Sequence, residues 1–175
     1  MKKRLVIALC IVLGAVMLTA CGGSDSDSAN GTDAAQTQDT ATSDGYSYNL
    51  NGTTLAMNAQ MAPAVETLGD PDSYFESESC AFQGLDKVYT YGSVKITTYP
   101  LEEVDYIYSV ELMDDTVSTA EGIGIGASKD DVTGAYGNAS ETTDTSLIYT
   151  KGDSTLTFIF DGDSVSAITY TAITE

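Results

Sequence analysis

The sequence predicts an α+β fold of two tandem units, each a short helix followed by an antiparallel β-meander. Three observations predict it. The stretch Glu121–Gly137, EGIGIGASKDDVTGAYG, reads as glycine-rich entry, helix cap, short amphipathic helix and glycine stop. A fainter copy lies upstream at Met57–Gly69, MNAQMAPAVETLG. After each copy comes a run of short alternating segments broken by turn residues. The units are placed at residues 46–118 and 119–175.

The N-terminal part belongs to neither unit. Residues 1–20 carry Lys2, Lys3 and Arg4, then sixteen residues from Leu5 to Ala20 that are nearly all apolar. That length is short for a membrane span and suits a signal-peptide core. The run ends Leu18-Thr19-Ala20-Cys21, which resembles the lipobox of bacterial lipoproteins. The resemblance implies cleavage before Cys21, diacylglyceryl attachment to its sulfur, and residence at the cell membrane facing outside the cytoplasm. Residues 21–45 then form a lipidated Cys and a disordered tether. From Gly22 to Gly45 there is no aromatic residue and no Leu, Ile, Val or Met, too little apolar surface to offset the entropy of ordering.

Three of the seven basic residues lie in 1–20 and none of the 26 acidic ones, so the remainder has 4 basic and 26 acidic groups, a formal charge of −22. Such a charge disfavours nucleic acid and anionic lipid as partners. The acids are scattered, as on a solvated surface. No His is present, which excludes His-based metal sites and Ser-His or Cys-His pairs. With Cys10 in the signal and Cys21 lipidated, Cys80 has no internal partner and is expected as a small buried hydrophobe.

The ordered elements follow in chain order. Tyr46–Leu50 and Thr53–Met57 flank Asn51-Gly52, a hairpin signal. A helix spans Met61–Leu68, with Pro63 tolerable in its first turn and Gly69 as its stop. Ser73–Cys80 shows no clean period. Strands follow at Val88–Tyr91 and Ser93–Tyr99, then a polar connection at Pro100–Asp105. Tyr106–Leu112 sets Tyr106, Tyr108, Val110 and Leu112 on one face. In the second unit Ile123 and Ile125 alternate with glycines, and Ser128 with Asp131 makes a capping box. Val132, Ala135 and Tyr136 form the buried helix stripe, and Gly137 ends it. Strands at Leu147–Thr150, Ser154–Phe160 and Ser164–Thr171 close the chain.

The pattern Gly124-Ile-Gly-Ala-Ser-Lys-Asp-Asp-Val132 with Tyr136-Gly137 resembles the helical signature of SmpA/OmlA-type small lipoproteins. The same unit doubled resembles the β-lactamase inhibitory protein fold, which implies helices packed on a curved antiparallel sheet. The layout, including Ser79-Cys80-Ala81-Phe82, is also similar to that of uncharacterised lipoproteins of Gram-positive bacteria. These resemblances cover residues 46–175 and carry over no functional residue of the inhibitor family.

Several motifs are weighed for chemistry. Gly122-Ile-Gly124-Ile-Gly126-Ala127 fits a dinucleotide fingerprint in spelling, but the meander downstream is no βαβ unit, so the glycines are assigned to packing. The pairs Glu102/Glu103, Asp114/Asp115 and Asp161/Asp163 fall in turns, where adjacent carboxylates face water rather than flank a substrate. Tyrosine is the conspicuous residue, with 11 copies against 4 Phe and no Trp. A ring with a polar tip suits a half-exposed sheet face; several of these rings share a strand face with Val or Leu, which favours the core or its boundary, and from a subset lining a binding face Tyr89, Tyr91, Tyr108 and Tyr149 are taken as candidate contact residues. The expectation is a lipid-anchored, non-catalytic module with no cofactor and no metal, attached through Cys21 and binding a protein partner. An inhibitor of a secreted or envelope enzyme, and a receptor for a small ligand or cell-wall polymer, stay open beside it.

Overall fold

The computed structural model describes residues 44–174. The signal segment, Cys21 and most of the tether lie outside the described residues. A hairpin of β1 (Ser47–Leu50) and β2 (Thr53–Ala56) leads to helix α1 (Ala62–Leu68). Strands β3 (Ser73–Glu78), β4 (Leu85–Tyr91), β5 (Val94–Leu101) and β6 (Val104–Leu112) precede helix α2 (Lys129–Tyr136). Then come β7 (Glu141–Thr142), β8 (Ser146–Lys151), β9 (Ser154–Asp161) and β10 (Ser164–Ala172). Eight strands join one antiparallel sheet in the order β3-β4-β5-β6-β10-β9-β8-β7, and β1 and β2 pair separately.

This corrects the fold class. The described chain is mostly β and is not an α+β tandem of helix-plus-meander units. The two helices have seven and eight residues, and each fully buries one side chain, Ala64 or Val132. Helices of two turns cannot make a core layer of their own. The signals that mark a helix (cap, stripe, glycine stop) announce its presence but not its weight. Ala135 of the expected stripe is exposed.

Local chemistry accounts for the elements. Asn51 and Gly52, at φ 51° and 89°, turn the first hairpin with the two positive φ values that suit a right-handed twist. Ser128 Oγ accepts from Asp131 N at 3.1 Å, and the Asp131 carboxylate accepts from Ser128 N at 3.1 Å, closing the capping box. Gly69 and Gly137 stand at the C-caps. The expected polar connection at Pro100–Asp105 is a two-residue turn instead. Leu101 pairs with Val104, and Glu102 and Glu103 hold φ of 50° and 66°. Pro100 sits past the last β4–β5 pair, Lys87↔Thr98, where its missing N–H breaks no ladder on that side.

One face of the sheet is covered. Tyr74, Tyr89, Ile96, Val110, Tyr170, Leu156 and Tyr149 stand side by side across seven strands. The row is buried from Ile96 to Tyr149 and opens at the β3 end, where Tyr74 is 48% exposed. Leu55, Met57 and Met61, all buried, belong to the same hydrophobic cluster. The opposite face carries the hydroxyl row Thr97, Ser109, Thr171, Thr155 and Thr150, one residue per strand. Two bulges interrupt the alternation, because β5 pairs pass from Ser109 to Ile107 and β9 pairs from Val165 to Ala167. Tyr108 is thus the extra residue of β6 and turns outward while Ile107 enters the core. Tyr106, Tyr108, Val110 and Leu112 therefore do not share one face.

Candidate functional site

The four candidate tyrosines separate into three environments. Tyr91 and Tyr149 are core residues, 8% and 3% exposed. Each hydroxyl donates to a helix-terminal carbonyl, Tyr91 to Gly69 O at 3.0 Å and Tyr149 to Gly137 O at 3.2 Å. Burial raises both phenols. Rings enclosed in this way have no surface to offer a partner, which corrects their assignment as contact residues. Tyr108 lies with Tyr99, 6.3 Å between ring centroids, and Tyr99 also stacks on Tyr106 and packs against Phe82. Tyr89 stands apart from these, partly buried at the open end of the covered face.

Tyr89 lines a cleft of about 520 Å³ between α1 and the β5–β6 turn, with Val65 and Glu66 on one wall and Glu103, Val104 and Asp105 on the other. Tyr74 packs on Tyr89 with 5.0 Å between centroids, and its hydroxyl donates to the Glu76 carboxylate at 2.7 Å. Partial burial, then that bond, raises the Tyr74 phenol although half the ring meets solvent. Lys87 Nζ donates to Asp105 Oδ2 at 2.7 Å. This bond raises the ammonium, burial opposing it. Burial raises the Tyr89 phenol as well, with Lys87 acting the other way. Cleft and rim thus carry phenolic rings, the carboxylates Glu66, Glu76, Glu103 and Asp105, and one lysine. Two positive φ values on adjacent glutamates cost about 1–2 kcal/mol each, and that turn holds Glu103 at the cleft wall.

Sequence reasoning named Tyr89 and treated Glu102/Glu103 as solvated; it missed Tyr74, Glu66 and Asp105. The signal for Tyr74 was the aromatic pair Tyr74-Phe75 inside a stretch without period. The glycines Gly122, Gly124 and Gly126 do not form a nucleotide loop, since every strand pairing in the sheet is antiparallel. A Cβ on Gly124 would stand 3.3 Å from Val117 O, a close-packing reason for glycine there. Cys80 is exposed and free, not buried as expected, because it follows an edge strand rather than a core one. Among the described residues no three of His, Cys, Asp and Glu gather as a metal site. None of the described helices is long and apolar enough to cross a membrane.

No protein-family model, curated protein or solved structure matches the chain.

Proposed function

We propose that this protein is a lipid-anchored extracytoplasmic module, held at the cell membrane through Cys21, that binds a protein partner without catalysing a reaction. The observation that carries the binding reading is the acidic cleft at the β3 end of the sheet's core face, with Tyr89 in its lining and Tyr74 packed on it. Tyr89 and Tyr74 supply apolar area with polar tips, and the carboxylates supply charge selectivity. The lipobox-like Leu18–Cys21 supports the anchor. A small cationic ligand is the second reading, favoured by the carboxylates of Glu66, Glu103 and Asp105 along the cleft.

Two measurements test the proposal. Cells fed an alkyne fatty acid should label the wild type, which should sediment with membranes; Cys21→Ser should do neither. A benzophenone amino acid placed at Tyr74, 48% exposed on the cleft side of β3, should give one dominant protein adduct in intact cells. The same group at Ile159, 43% exposed on the opposite face, should not. Absence of any adduct from position 74 would remove the protein-partner reading.

A further inference from the structure

The two ends of the sheet are unlike. At one end β7 has two residues. At the other β3 has six, all exposed, paired with β4 on one side alone. A strand with one unpaired row of N–H and C=O groups is a template for another strand. Natural edges are blunted by charged side chains, lysine above all, by proline or by a covering element. β3 has no proline and no lysine; its charges, Glu76 and Glu78, are of one sign and on one side, and Tyr74 and Phe75 stand 48% and 62% exposed.

Alternation assigns the two sides of this edge. Tyr74, Glu76 and Glu78 point to the cleft side, in line with Tyr89 and Lys87 of β4. Ser73, Phe75 and Ser77 point to the other. An added strand would set every second side chain beside Glu76 and Glu78. It would set the alternate ones beside Phe75. Charge decides among occupants. A second copy of β3 would bring Glu76 and Glu78 against themselves. The chain's own residues 22–45 hold five Asp and no Lys or Arg. Both are repelled.

Resting on the binding-module reading, we propose that the free edge of β3 and the cleft beside it dock an extended polypeptide segment with lysine or arginine at alternate positions and apolar residues between them. The segment adds as a further strand, its basic side chains over Glu76 and Glu78 and its apolar ones on Phe75.

The test uses the full chain in detergent micelles and a fluorescein-labelled hexapeptide, (Lys-Val)3, followed by fluorescence anisotropy. (Glu-Val)3 and a peptide of residues 22–45 serve as comparisons. The lysine peptide should bind and the other two should not. Glu76→Gln/Glu78→Gln should weaken it by about tenfold or more through loss of both rim charges. Both positions are exposed and an amide oxygen still accepts from the Tyr74 hydroxyl, so the melting curve should stay close to that of the wild type. Main-chain pairing is read from two half-methylated peptides, one with N-methyl groups on the odd residues and one on the even. An added strand turns alternate N–H groups to β3, so one peptide should lose binding and the other keep it. Equal binding of both would overturn strand addition. Binding of the 22–45 peptide, or self-association abolished by Phe75→Glu, would replace the basic partner by the chain itself. Failure of all peptides alongside a protein adduct at position 74 would sink this docking mode and leave the binding module standing.

Discussion

Replacing Tyr149 by Ser distinguishes a core tyrosine from a contact tyrosine. The ring is 3% exposed, with centroids 5.2 Å from Tyr136 and 6.0 Å from Phe158. Truncating a buried aromatic costs about 3–5 kcal/mol through lost transfer energy and residual cavity. For about 130 ordered residues the unfolding entropy is about 0.27 kcal/mol/K, so Tm should fall by roughly 11–18 °C. Tyr149→Phe removes only the hydroxyl bonded to Gly137 O. It should cost about 1 kcal/mol, or roughly 4 °C. Tyr108→Ser, at a bulge and 37% exposed, should cost less than about 1 kcal/mol. The assay is thermal and urea unfolding by near-ultraviolet circular dichroism, which reads tyrosines because the chain has no Trp. Equal shifts for Tyr149→Ser and Tyr108→Ser would refute the separation into core and surface.

Other outcomes follow from single contacts. Ser128→Ala should destabilise by about 1 kcal/mol through loss of the α2 cap, measured by urea unfolding. Hydrogen bonds from Ser128 hold the Asp131 carboxyl below its ordinary value. A depressed folded pKa stabilises above the unfolded value and stops doing so as pH falls through the folded one. The gap between wild type and Ser128→Ala should therefore narrow below about pH 4; a constant gap would show that the carboxylate takes no part. Glu102→Asn with Glu103→Gly should raise stability by about 1 kcal/mol or more by relieving two left-handed residues, seen as a higher urea midpoint. Gly152→Ala should cost more than Gly52→Ala in the same assay. Both have positive φ, but only at Gly152 does the added Cβ meet backbone, 2.9 Å from Asp44 C.

What was legible in the sequence is what local chemistry decides. Asn51-Gly52, the Ser128–Asp131 box and the period of Leu156, Phe158 and Phe160 each appear where expected, because each depends on residues a few positions apart. β3 was not legible, since an edge strand with no buried face has no reason to alternate. The bulge that expels Tyr108 was not legible either, because an extra residue is defined only against its partner strand. The same limit hid the difference between Tyr149 and Tyr89, which show the same residue type in strand context. The cleft gathers Glu66, Tyr89, Glu103 and Asp105 from three parts of the chain, and nothing in their spacing announces it. The fold class failed for another reason: crisp helix signals were counted as structural weight, while β3 and β7 went unread.

The strand order also has a kinetic consequence. Hairpins with two-residue turns join β4 to β5, β5 to β6, β8 to β9 and β9 to β10. The seam between β6 and β10, from Leu112↔Ile168 to Ser109↔Thr171, brings together residues 56 to 62 positions apart. Closing a loop of that length costs about 3.5 kcal/mol beyond the length-independent part, against microseconds for an isolated hairpin. Docking of β10 on β6 should therefore limit the folding rate. Truncating Val110 at the seam should slow refolding in stopped-flow chevrons, whereas truncating Leu147, far from it on β8, should mainly speed unfolding.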